Sequence, residues 1–64
     1  MNYKIYQSVK HAKAHGTRPE LVMQIEVRTR MLNESRTTDF AQMMRDEINE
    51  LTDHIYELWR KEQQ

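Results

Sequence analysis

Between Thr38 and Lys61 the apolar residues Phe40, Ala41, Met44, Ile48, Leu51, Ile55, Leu58 and Trp59 return at steps of three and four. At the pitch of an α-helix they fill one stripe about 100° wide, the pattern of a helix with one buried face. Directly opposite lie Asp39, Asp46, Glu50, Asp53 and Glu57, again at helical spacing. A helix with one oily and one acidic side must cover the oily side. That need constrains what the remaining residues can be.

The cover has to come from little material. A chain of 64 residues buries only about 60% of the surface that its unfolded form exposes, so a lone core is marginal. With no cysteine, neither a disulfide nor a thiolate metal site can staple the fold. Small domains without staples commonly gain the missing core by self-association. A single domain spanning residues 1–64 and a homodimer are therefore expected. One glycine and one proline leave little turn material for a multi-stranded sheet. No apolar run approaches the ~20 residues of a membrane span, so no membrane partner is expected. Residues Met1 to Tyr6 lack the apolar stretch of a signal peptide, which makes the cytoplasm the expected location.

Gly16-Thr17-Arg18-Pro19-Glu20 is the clearest punctuation. Thr17 followed three residues later by Glu20 is a capping box, in which hydroxyl and carboxylate satisfy the free N–H groups of a helix start. Pro19 falls in the first turn, where a missing N–H costs nothing. Gly16 stands where a helix C-terminal glycine belongs. Polar residues Asn33 to Thr37 interrupt both apolar stripes, with Thr37 or Thr38 as the next N-cap. Helices are thus expected over about 3–15, 18–33 and 38–62, giving an all-α hairpin with a short N-terminal helix. Two segments keep an alternative. Residues 2–9 also fit a strand, and Met23, Ile25, Val27, Thr29 and Met31 alternate with polar residues as a strand would.

On the second helix Leu21, Val22, Ile25, Thr29 and Leu32 share one face, while Met23, Val27 and Met31 lie nearly opposite. A helix with two apolar faces is sandwiched. Together with Met44, Ile48, Leu51, Ile55, Leu58 and Trp59, the residues Met23, Val27 and Met31 form the expected dimer or partner face. Methionine suits it, being flexible and polarizable. Asp46, Glu50, Asp53 and Glu57 form an acidic ridge of like charges one turn apart, destabilising in an isolated helix by a few tenths of a kcal/mol per pair. A basic partner surface would offset that cost, and so would the chain's own N-terminal segment. Residues 1–19 carry Lys4, Lys10, Lys13 and Arg18 and no acid, whereas residues 20–64 balance six bases against ten acids.

Catalytic constellations are absent from the sequence: no glycine-rich phosphate loop, nucleophile elbow or paired cysteines. His11 and His15 are four apart, a spacing that can clamp zinc, but a structural zinc takes four ligands and none lies nearby in sequence. No metal, cofactor or catalytic residue is expected.

Ser8 to Ile25 resembles the helix-turn-helix DNA-binding motif. Ala12 supplies the small residue four before the turn glycine, Gly16, and Val22 and Ile25 supply the branched apolar residues six and nine after it. By that resemblance Lys10 and Lys13 would lie near phosphates, and Arg18, Glu20, Gln24 and Arg28 would face the groove. Arg18-Pro19-Glu20-Leu21 and Ser35 to Phe40 also resemble ribbon-helix-helix proteins, which would require a strand over Ala12 to Thr17. The leading expectation is a small regulatory protein of bacterial or phage type that binds a larger protein, with nucleic-acid binding as the alternative.

Overall fold

The structure, a computed structural model, describes residues 5–63. Three helices follow in order: α1 (Val9–His15), α2 (Arg18–Glu34) and α3 (Thr38–Gln63). No strand occurs among the described residues, so the alternation from Met23 to Met31 runs along a helix, and Ala12 to His15 is helical too. The chain adopts the expected all-α fold. Helices α2 and α3 form the main packed pair, antiparallel as the Arg18–Glu62 and Arg28–Glu47 ion pairs require, and α1 contacts both. The long dimension of 42 Å matches the span of the longest helix at about 1.5 Å per residue.

Local chemistry sets the boundaries. At the start of α2, a Glu20 carboxylate oxygen accepts the Thr17 N–H at 2.9 Å, and the Thr17 hydroxyl accepts the Glu20 N–H at 3.4 Å. Thr37 does the same work for α3, its Oγ1 accepting the Phe40 N–H at 3.2 Å. Asp39 in the first turn of α3 and Arg60 and Lys61 in its last suit the helix dipole.

The first helix is shorter than expected. It begins at Val9 rather than near residue 3, because Ser8 is extended and its Oγ accepts the His11 N–H at 3.1 Å. Residues 5–8 form neither helix nor strand; positions 3 and 4 of the expected helix, and positions 2–4 of the strand alternative, lie outside the described residues. Gly16 also departs from expectation. Its φ of −75° is not left-handed, so conformational freedom is not what the position requires. Space is: a Cβ there would sit 2.6 Å from the Ala12 carbonyl oxygen and 3.3 Å from Leu21 Cδ2.

Tyr6, Val9, Ala12, Leu21 and Leu51 make the core, with Ile25, Ile55 and Leu58 packed against it. Ala41 and Met44 carry the buried line toward the α2–α3 connection. The buried face of α2 differs from the one its apolar residues outline. Leu21, Gln24 and Arg28 are buried, whereas Val22 is 46% exposed and Thr29 is at the surface. The helix has turned two polar side chains inward because each finds partners there.

Candidate interaction surfaces

Gln24 and Arg28 hold the N-terminal segment to the hairpin. Gln24 has no exposed surface; its Oε1 accepts the Tyr6 N–H at 2.9 Å and its Nε2 donates to the Glu20 carbonyl at 2.9 Å. Arg28 Nε donates to Glu47 Oε1 at 2.7 Å, while Nη1 and Nη2 reach the carbonyls of Gln24 at 3.3 Å and Tyr6 at 3.4 Å. The ring of Tyr6 is buried in the core, and its hydroxyl donates to Glu20 Oε1 at 3.3 Å. Burial, and then the Glu20 carboxylate, push the Tyr6 phenol above its ordinary value. Among the described residues no buried side-chain nitrogen or oxygen lacks a partner, as a stable interior requires.

This corrects the groove-facing roles expected of Gln24 and Arg28. Both belong to the interior. Of the other residues in that set, Glu20 is half-buried and holds the Thr17 N–H and the Tyr6 hydroxyl, Lys13 pairs with Glu50 at 3.3 Å, Arg18 pairs with Glu62, and Lys10 is exposed.

His11 and His15 share the outer side of α1, ring centroids 5.6 Å apart and tilted by 34°. They border an open groove of about 790 Å³ with Ile5, Tyr6, Gln7 and Ser8. No third side chain of a type that binds metals joins them, and no group of three or more such residues occurs among the described ones.

The acidic ridge is exposed throughout. Two members are engaged within the chain: Glu50 by Lys13, and Asp46 by a hydrogen bond from Gln42 Nε2 at 2.9 Å. The basic N-terminal segment therefore neutralises part of the ridge.

The expected dimer face divides. Met44 and Leu51 are buried within one chain, covered by the hairpin itself, and so cannot serve as a free surface. Ile48, Ile55, Leu58, Met23 and Val27 are half-buried. Met31 and Trp59 stay open, 40% and 52% exposed. The apolar surface left over falls on two separate edges of the hairpin. One is a groove of about 340 Å³ whose apolar walls come from Ile5, Val27, Met31, Phe40 and Met43. The other, of about 420 Å³, is lined by Arg18, Val22, Thr52, Ile55, Tyr56 and Trp59. Met43 lies well off the main apolar stripe of its helix, as its spacing implies, and stays exposed; Tyr56 and Ile5 have no expected role in an interface and are exposed too.

No described helix is long and apolar enough to cross a membrane. Comparison of the chain with protein-family models, with curated proteins and with solved structures gives no match in any of the three.

Proposed function

We propose that this chain is a small, non-enzymatic, cytoplasmic interaction protein of bacterial or phage type, acting as a homodimer that occupies the surface of a larger protein. The observation that carries the reading is the methionine-lined groove. Met31 and Met43 are 40% and 47% exposed and Ile5 is 54% exposed, although each sits beside apolar neighbours that the hairpin could have used as core. Flexible methionines at an open groove suit adaptable contact with another protein. Asp39, Asp46 and Glu50 stand four before, three after and seven after Met43, so the groove has an acidic border along α3. The fitting occupant is an amphipathic helix with an apolar stripe and basic flanks.

The test is affinity capture from a lysate of the host, with and without nuclease, using the natural chain and the Met43→Lys and Glu50→Lys variants. Both positions are exposed, so folding should persist, as a circular-dichroism melt will show. Capture of a protein that survives nuclease and is lost in both variants supports the reading. Capture that disappears with nuclease, or that ignores both substitutions, refutes it. The nucleic-acid reading is not carried forward, because Gln24 and Arg28 are interior and Lys13 and Arg18 are paired with acids of α3.

A further inference from the structure

We infer that the edge of the hairpin bearing Tyr56 and Trp59 receives a second copy of this chain, its α3 laid antiparallel on the first. The inference deepens the homodimer of the reading above by naming its interface and its orientation. Asn49, Thr52, Tyr56 and Trp59 succeed one another at steps of three and four, the spacing of a seam between two helices. Along that seam Tyr56 and Trp59 are 59% and 52% exposed, and Val22 of α2 beside them is 46% exposed. Large aromatic side chains left open in this way are the usual anchors of an interface.

The charges beside the seam are self-complementary. A two-fold axis crossing α3 near His54, the middle of the open stretch, sets Trp59 against Asn49 of the second copy and Tyr56 against its Thr52. The same axis brings Arg60 next to Asp46 of the second copy, twice by symmetry, as an isologous contact requires. Arg60 and Asp46 are both exposed, and Asp46 accepts a surface hydrogen bond from Gln42 on its own helix that the contact would have to share or replace. The axis also places the two Asp53 carboxylates side by side, a like-charge contact that limits affinity.

The absence of natural cysteines makes a trap straightforward. Under mild oxidation the purified Asp53→Cys variant should form a covalent dimer at low concentration, while Met43→Cys, on the other edge, should not. Sedimentation equilibrium should show Asp46→Arg and Arg60→Asp each raising the dimer dissociation constant roughly tenfold, with the double swap restoring it. A chain that stays monomeric up to about 1 mM, a trap that closes at Met43→Cys instead, or a double swap that fails to restore affinity overturns the inference. All of these use purified protein alone. If the inference fails, capture of a larger protein through the methionine groove is still read separately, and a monomeric Arg60→Asp variant that retains capture separates the two, because Arg60 lies outside that groove.

Discussion

Arg28 shows how much one side chain can organise in a chain this small. Its guanidinium is nearly wholly buried and serves Glu47, Gln24 and Tyr6 at once. Arg28→Ala should destabilise the fold by about 3 kcal/mol, because Glu47 and the Tyr6 carbonyl lose their partner. Arg28→Met combined with Glu47→Leu should recover most of that loss in denaturant titrations. Equal costs for the alanine and the double variant would show that the pair does not act as a unit. Tyr6 makes a second test. Its phenol is held above the ordinary 10.0 by burial and then by Glu20, so the folded chain binds that proton more tightly than the unfolded chain. Its contribution is therefore intact below about pH 10 and is lost as pH rises through the folded value. Tyr6→Phe should be nearly as stable at pH 7 and should flatten the alkaline part of a stability–pH profile. An unchanged profile would place the alkaline loss elsewhere. Neither role was legible in the sequence. Gln24 and Arg28 read as polar surface because nothing in a linear pattern reveals that Tyr6 offers its backbone to them.

The helices were more legible, and for a physical reason. A capping box works through neighbours in the chain, so Thr17 and Glu20 announce α2 without reference to the rest of the fold. Thr17→Ala should cost about 1 kcal/mol, or roughly 4–8 °C in Tm for a domain of this size. Gly16→Ala should cost about 1–3 kcal/mol through its Cβ meeting the Ala12 carbonyl; a neutral result in thermal melts would mean that the turn relaxes freely. The start of α1 was misplaced because its residues 5–8 answer to tertiary partners: the Tyr6 N–H and carbonyl bond to α2 instead of to a helical turn. The face of α2 was misjudged for the same reason. Apolar spacing locates a buried stripe only where the stripe is apolar, as it is along α3.

At the scale of the whole molecule, the stripe of α3 gave away the hairpin but not how much of it one chain covers. Met44 and Leu51 are satisfied internally, while Trp59, Tyr56, Met43 and Met31 remain open on two edges. That division depends on where α1 and α2 end in space, which periodicity does not encode. Two open edges on so small a core are what the proposed association would use, one edge for a second copy and the other for a larger partner. The most direct measurement is the solution mass of the purified chain by sedimentation equilibrium, from about 1 µM to about 1 mM. The expected result is reversible doubling within that range, weakened by Trp59→Ala. A single species with the mass of one chain at every concentration would contradict it.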